Sequence, residues 1–206
     1  MTDKEALQCK VVLIGESGVG KTSIINRYAH NEFNEIETIT PGASFIAKTI
    51  FLQDYNQSIK FEIWDTAGQE KYRALAKVFY KNAAVCVLVY DITRKKSFEE
   101  LKNYWYNQIK QCASPNIVIG IAANKCDLYD NEQVSEDEAR AFADKIGAVF
   151  NLTSAQTNTG IEDLFKGVGC KVLDPNYNID GGSKKDNNIK LNAKNDDSKK
   201  KKKKCC

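Results

Sequence analysis

The stretch GESGVGKT, from Gly15 to Thr22, constrains the fold of this 206-residue chain more than any other feature. It follows CKVVLI, an apolar run with the length and β-branched content of a buried strand, and it leads into a helical pattern that reaches His30. The spacing G-x-x-x-x-G-K-[ST] between a strand and a helix is typical of a loop that binds phosphate. We therefore predict a strand, a phosphate loop and a helix in that order.

The residue types in this loop suit phosphate chemistry. Gly15, Gly18 and Gly20 let backbone N–H groups turn inward around a phosphate, and the N-terminus of the following helix adds a positive field. Lys21 would reach the β- and γ-phosphates of a nucleotide, and Thr22 would hold Mg²⁺ through its hydroxyl. The alternative is a glycine-rich turn that binds no ligand.

Strand-like runs alternate with helical stretches along the rest of the chain. The later predicted strands are SFIAKTIFL, IKFEIW, AAVCVLVYDI, NIVIGIAAN and AVFNLTS, and the later predicted helices are SFEELKNYWYNQIKQCA, SEDEARAFADKI and GIEDLFKGVGCKVL. This alternation predicts an α/β fold of the P-loop NTPase type, with three layers (α/β/α) and a six-stranded, mostly parallel sheet. Ser97 and Ser135 are predicted N-caps of two of these helices. Two glycines, at 167 and 169, interrupt the last predicted helix, so this helix is expected to fray early.

The chain changes character after residue 174. Residues 175–206 carry ten lysines against four aspartates, a net charge of +6, so the other residues carry −3 if the whole chain is +3. This segment has too few apolar side chains to order itself. We predict a folded domain over residues 1–174 and a disordered basic tail over residues 175–206. A nucleic-acid binder would more often carry its positive charge on the folded surface.

NKCD, from Asn124 to Asp127, follows a predicted buried strand, at the edge where open α/β sheets bind ligands. The Asp127 carboxylate can accept hydrogen bonds from guanine N1–H and the 2-amino group, which adenine lacks, so it would select GTP over ATP. Asn124 would tie this loop to the phosphate loop, and the aliphatic stem of Lys125 would cover one face of the base.

WDTAGQE, from Trp64 to Glu70, follows another predicted strand. Asp65 is the expected carboxylate on the Mg²⁺ side, acting through water. Gly68 allows the backbone to approach a γ-phosphate, and Gln69 can orient a water for attack. Alternatively, Asp65 caps a turn and Gln69 is simply exposed.

Over residues 8–174 the chain resembles the Rab family of small GTPases in the Ras superfamily. GESGVGKT, WDTAGQE, NKCD and TSAQ occur in the family's order, and the ending in two cysteines is typical of Rabs. SPNIVI and GASF look most like the early-endosomal branch. The resemblance implies a G domain that binds and hydrolyses GTP, retains GDP and uses Mg²⁺.

The resemblance also implies roles for individual residues. Phe33 would stack on guanine, and Thr40 would add a second hydroxyl to Mg²⁺ in the GTP state, beside Thr22 and Asp65. Thr40 and Gly68 would hold two switch segments ordered, roughly residues 33–45 and 66–80. The full set expected around the nucleotide is Gly15, Ser17, Gly18, Val19, Gly20, Lys21, Thr22, Ser23, Phe33, Thr40, Gly68, Asn124, Lys125, Asp127, Leu128, Ser154, Ala155 and Gln156.

Phe45, Trp64 and Phe79 match the aromatic triad through which Rabs present a packed patch to effectors. Phe79 stands where a tyrosine is more usual, and Gln156 where a lysine is usual. Pro41 stands where an aliphatic residue would follow the switch threonine. Because proline restricts the preceding residue to extended geometry and lacks an N–H, it bears on which effectors and activating proteins dock there.

The chain ends KKKKKKCC. A basic run near an anionic leaflet contributes about 1 kcal/mol per residue, and two lipid chains, or one chain with a basic patch, anchor a protein stably. By resemblance, Cys205 and Cys206 would both carry geranylgeranyl groups.

The resulting expectation is a monomeric switch that cycles between cytosol and the cytoplasmic face of endomembranes, in the endosomal system. Its partners would be an exchange factor, a GTPase-activating protein, chaperones of the Rab escort and GDP-dissociation-inhibitor type, and trafficking effectors, with no nucleic acid among them. The rival readings are a GTP-binding interaction module with little hydrolysis and a nuclear or nucleic-acid-binding protein that uses the lysine run.

Overall fold

The computed structural model describes residues 5–35, 40, 43–66 and 79–177. Its strands are β1 (Leu7–Ile14), β2 (Ala43–Leu52), β3 (Gln57–Thr66), β4 (Val85–Asp91), β5 (Val118–Asn124) and β6 (Val149–Thr153). They form one six-stranded sheet in the order β2-β3-β1-β4-β5-β6, in which only the β2–β3 pair is antiparallel. The prediction of a six-stranded, mostly parallel sheet is confirmed.

Helices cover both faces of the sheet. They are α1 (Lys21–His30), α2 (Lys95–Glu100), which continues through a π-helical turn (Leu101–Trp105) into α3 (Tyr106–Cys112), α4 (Glu136–Ile146) and α5 (Ile161–Leu173). Short 3-10 helices span Gln53–Tyr55 and Cys126–Asn131. Within the described ranges, no helix combines the length and apolar character that a bilayer crossing requires.

The core has two halves because successive side chains of a strand point to opposite faces. In β1, Val11 and Leu13 pack with residues of α1 and α5, whereas Val12 and Ile14 pack with residues of α2, α3 and α4. All seven residues of β4 are buried, as expected for a strand covered on both faces. This arrangement is the predicted three-layer α/β/α fold.

Helix starts follow the sequence signals only in part. Ser135 caps α4, since its hydroxyl accepts a hydrogen bond from Glu138 N at 3.3 Å, as predicted. The prediction for Ser97 is wrong: helix α2 begins two residues earlier, at Lys95. The Ser97 hydroxyl is buried and instead accepts from Asp91 N at 3.1 Å and donates to Arg94 O at 2.7 Å.

The last helix is not interrupted at its two glycines, since α5 runs from Ile161 to Leu173. A Cβ on Gly169 would lie 3.2 Å from the Phe61 ring and 3.3 Å from Leu52, so this glycine lets the helix approach the sheet closely. Its intrinsic cost to the helix is offset by apolar packing, because helical stability in proteins comes mostly from tertiary contacts.

Candidate functional site

A cavity of about 450 Å³ opens at the carboxyl ends of β1, β5 and β6. Its walls include fourteen of the residues predicted to surround a nucleotide: Ser17, Gly18, Gly20, Lys21, Thr22, Ser23, Phe33, Thr40, Asn124, Lys125, Asp127, Leu128, Ala155 and Gln156. Asn34 and Glu35, which the sequence did not single out, complete the wall. The volume lies in the range typical of small-molecule sites.

The other predicted residues lie elsewhere. Gly15, Val19 and Ser154 are buried behind the cavity wall. Gly68 and Gln69 lie outside the described residues, as do Pro41, Cys205 and Cys206.

The phosphate loop is shaped by close backbone approaches. Gly15, Gly18 and Gly20 all have positive φ angles, of 151°, 74° and 93°. A Cβ on Gly15 would lie 2.2 Å from Val89 O, so β4 leaves no room for a side chain there. Only glycine adopts these angles without strain, which explains the residue type at each position.

Lys21 lies at the base of the loop. Its Nζ donates to Gly15 O at 3.0 Å and Glu16 O at 2.9 Å, and the residue is 6% exposed. Burial lowers the pKa of Lys21 to about 8, although Asp65 and Glu16 act in the opposite direction. A buried cation among inward-turned peptide groups forms a strong site for an anion.

Three oxygen-bearing side chains meet beside this lysine. Thr22 Oγ1 lies 2.8 Å from Thr40 Oγ1 and donates to Asp65 Oδ2 at 2.6 Å. Asp65 comes from the end of β3 and is 1% exposed. Two hydroxyls and a carboxylate are hard oxygen donors of the kind that Mg²⁺ prefers, so the set fits this ion.

The far end of the cavity is formed by two loops. Ser154 Oγ donates to Asp127 Oδ1 at 2.5 Å, which fixes the orientation of that carboxylate. Asn124 Nδ2 donates to Val19 O at 2.8 Å and so ties the NKCD segment to the phosphate loop. Thr153 Oγ1 in turn donates to Asn124 Oδ1 at 3.2 Å. The predicted phosphate and base ends of the cavity therefore belong to one hydrogen-bonded network.

Sequence reasoning missed three charged residues that hold this network. Arg27 of α1 donates to Ala155 O at 2.7 Å and Gln156 O at 3.2 Å, and so positions the TSAQ loop. Arg94 donates to Ser17 O at 3.0 Å, and Asp91 lies 2.7 Å from Lys125 Nζ. Contacts between residues that are far apart in the chain have no characteristic spacing in the sequence, so no motif indicated these three residues.

The three residues of the predicted aromatic triad form one cluster. The β2–β3 register pairs Phe45 with Trp64, and their ring centroids are 5.3 Å apart, while the Trp64 and Phe79 centroids are 5.8 Å apart. Phe45 is 50% exposed. The cluster thus combines internal packing with an exposed aromatic surface.

We expect Gly20→Ala to weaken guanine-nucleotide binding by roughly tenfold or more, since its Cβ would lie 2.3 Å from Asn124 Nδ2 and would break the contact of Asn124 with Val19 O. Gly147→Ala is the matched control: Gly147 also has a positive φ, of 66°, but nothing lies within 4 Å of its Cβ position. Fluorescent GDP titration should show a weaker Gly20→Ala and an unchanged Gly147→Ala. Equal affinities for all three proteins would contradict the assigned role of Gly20.

A sheet of this topology with a phosphate loop, a buried lysine and a facing NKCD loop defines a G domain, and the chain matches the Ras family model over residues 10–174. The chain belongs to the Ras family. Human Ras-related protein Rab-22A is 44% identical over 177 residues, which is 86% of this chain and 90% of that protein. Rat Ras-related protein Rab-31 is 43% identical over 188 residues, which is 90% of this chain and 95% of that protein. The resemblance to Rabs is confirmed, and the chain is a GTPase that binds GTP and GDP.

Proposed function

We propose that this Rab-type GTPase is a membrane-anchored GTP/GDP switch that recruits effectors in vesicle trafficking, in the endosomal system. The observation that carries the proposal is the convergence of Lys21, Thr22, Thr40 and Asp65 at one end of a cavity whose other end holds Asp127. The first end suits a triphosphate with its metal ion, and the second end suits guanine.

Recognition of the base rests on Asp127. Its Oδ1 already accepts from Ser154, so the carboxylate is held in one orientation and can accept two donors along the edge of guanine. Adenine would leave this half-buried carboxylate without those donors, and an unsatisfied polar group costs about 1–3 kcal/mol, more if charged. Phe33 would stack on the base, and Leu128, Ala155 and Gln156 would line its surroundings.

Binding of the phosphates rests on the loop and its lysine. Thr22 and Thr40 would hold Mg²⁺ directly, and Asp65 would hold it through water. The ion would neutralise charge on the β- and γ-phosphate oxygens. Lys21 would add its positive charge at the same oxygens, and Gly15, Ser17, Val19, Gly20 and Ser23 would contribute their backbone or hydroxyl groups. Gln69 would orient the attacking water.

Switching follows from what hydrolysis removes. Thr40 and Gly68 would both contact the γ-phosphate, so its loss would release the two segments that contain them. The aromatic triad of Phe45, Trp64 and Phe79 lies within or between these segments. Effectors would bind to this triad and so distinguish the GTP state from the GDP state. The exchange factor, the activating protein and the chaperones of the escort and dissociation-inhibitor type would act on the same segments.

The sequence has no arginine at an obvious catalytic position, so intrinsic turnover should be slow, on the order of 10⁻³ s⁻¹ or below, and should depend on an arginine supplied by an activating protein. Attachment to the cytoplasmic face of endomembranes would rest on lipids at Cys205 and Cys206 together with the lysine run. Slow turnover and reversible attachment would let the protein cycle between membrane and cytosol.

We expect the double variant Cys205→Ser, Cys206→Ser to move from the membrane fraction of a cell lysate to the soluble fraction, because the lysine run alone binds anionic membranes weakly and is screened by salt. Cys112→Ser is the control, since Cys112 is an exposed thiol on the body of the domain. Sedimentation at physiological salt measures both. Retention of the double variant on membranes would refute lipid anchoring, and its accumulation in the nucleus would favour the nucleic-acid reading.

A further inference from the structure

Side chains hold the carbonyl groups in the first part of the phosphate loop. From Gly15 to Val19, five consecutive carbonyl oxygens each accept a hydrogen bond at 2.8–3.0 Å, from Lys21 (two), Arg94, Lys125 and Asn124. Because a trans peptide is planar, its N–H points opposite to its C=O. Holding the carbonyls on one side therefore aims the following N–H groups to the other side.

Two of these donors depend on a single carboxylate. Asp91, at the end of β4, accepts from Lys125 Nζ at 2.7 Å and from Arg94 Nε at 3.2 Å through the same oxygen, Oδ2. Its Oδ1 accepts from Thr93 N at 2.9 Å and Thr93 Oγ1 at 2.7 Å. The Asp91 side chain is 2% exposed, whereas those of Arg94 and Lys125 are 46% and 34% exposed. The carboxylate is the fixed member of the group.

The group lies where three strands end. Asp91 pairs with Asn124 across β4 and β5, and Lys125 follows with a left-handed backbone, at φ 65°, that marks a sharp turn out of β5. Arg94 Nη2 then reaches Ser17 O at 3.0 Å and Lys125 Nζ reaches Gly18 O at 2.9 Å. Lys125, whose aliphatic stem would cover the base, thus also holds the Gly18 carbonyl of the phosphate loop.

We propose that Asp91 is a positioning residue for nucleotide binding, which acts through Arg94 and Lys125 to fix the Ser17 and Gly18 carbonyls and so to aim the Gly18 and Val19 N–H groups at the phosphates. This inference rests on the proposed nucleotide site and adds residues to it that touch neither base nor phosphate. Burial by itself would raise the pKa of Asp91, but hydrogen bonds from Lys125 and Thr93 lower it below the ordinary value, so Asp91 is a carboxylate at neutral pH.

Asp91→Asn removes the charge that both cations face and keeps the shape and one acceptor for Thr93. Without an opposing charge, Arg94 and Lys125 would favour solvent over the loop carbonyls. We expect GDP to dissociate about tenfold faster or more, which corresponds to ~1.4 kcal/mol. Arg94→Gln, at a half-exposed position, should accelerate release about threefold to tenfold.

The test is GDP release from the Mg²⁺-loaded full chain, followed with a fluorescent analogue. Lys102→Gln is the matched control, because Lys102 forms an ion pair of similar length with Glu138, at 3.1 Å, outside the cavity. It should release GDP within twofold of the wild type. If Asp91 acts through Arg94, the double variant should be less than additive, since the two residues belong to one path. The ³¹P resonance of the bound β-phosphate should move in both single variants and not in the control.

GDP release rates within twofold of the wild type for both Asp91→Asn and Arg94→Gln would overturn the inference. If these variants also lose equal thermal stability in the nucleotide-free and GDP-loaded forms, Asp91 has a purely structural role. If Asp91→Asn does not fold, Arg94→Gln decides by the same criteria. A wild type that does not bind GDP at all would instead overturn the proposed nucleotide site, so the two failures are distinguishable.

Discussion

Asp127→Asn should reduce the affinity for GDP by roughly 10²- to 10³-fold and create affinity for XDP. The amide oxygen can still accept from N1–H, but the amide nitrogen would face the 2-amino group of guanine, so two donors would oppose each other. Xanthine carries an oxygen at that position and accepts from the amide nitrogen. Sites built around specific hydrogen bonds discriminate strongly against partners that leave polar groups unpaired.

Asp130→Asn is the matched control for this variant. Asp130 lies three residues further along the same 3-10 helix and is exposed. Asp130→Asn therefore removes the same negative charge without changing a residue that lines the cavity. Titration of both variants and the wild type with fluorescent GDP and XDP measures the effect. If Asp127→Asn keeps wild-type GDP affinity, Asp127 does not recognise the guanine base.

Gln69→Leu should leave GTP binding nearly normal and slow intrinsic hydrolysis at least tenfold, because leucine cannot orient the attacking water. The variant should accumulate on membranes in the state that effectors bind. An activating protein should rescue it little unless that partner supplies a glutamine of its own. Hydrolysis of pre-loaded GTP without any partner, at equal Mg²⁺, is the appropriate measurement.

Gln53→Leu, at an exposed glutamine in a 3-10 helix between β2 and β3, serves as the control and should hydrolyse GTP at the wild-type rate. Equal rates for Gln69→Leu and wild type would mean that Gln69 does not position the water. A wild type that releases no phosphate from GTP would favour a binding module with little hydrolysis.

The sequence predicted the strand, glycine-rich loop and helix in this order because the glycines reflect local backbone geometry. The positive φ angles at Gly15, Gly18 and Gly20 are properties of the loop itself, which joins β1 to α1. The alternation of strands and helices likewise predicted the layers, since it depends on short-range periodicity.

What sequence patterns could not supply was the set of long-range contacts. Arg27 reaches Ala155 across 128 positions and Arg94 reaches Ser17 across 77, and neither spacing recurs as a motif. The same limit explains the error at Ser97, whose hydroxyl is taken by Asp91 N and Arg94 O rather than by the N-terminus of its helix. It also explains Gly169, whose role depends on Phe61 and Leu52 in the sheet.

Competition between guanine and adenine nucleotides shows whether the cavity is a guanine-nucleotide site. Full-length protein loaded with fluorescent GDP in Mg²⁺ would be titrated with GDP, GTP, ADP and ATP. We predict that GDP and GTP displace the fluorophore at concentrations at least about 10³-fold lower than ADP and ATP, as expected when a carboxylate must be paired by guanine. Displacement by adenine nucleotides at concentrations similar to those of guanine nucleotides would rule out a site that is selective for guanine.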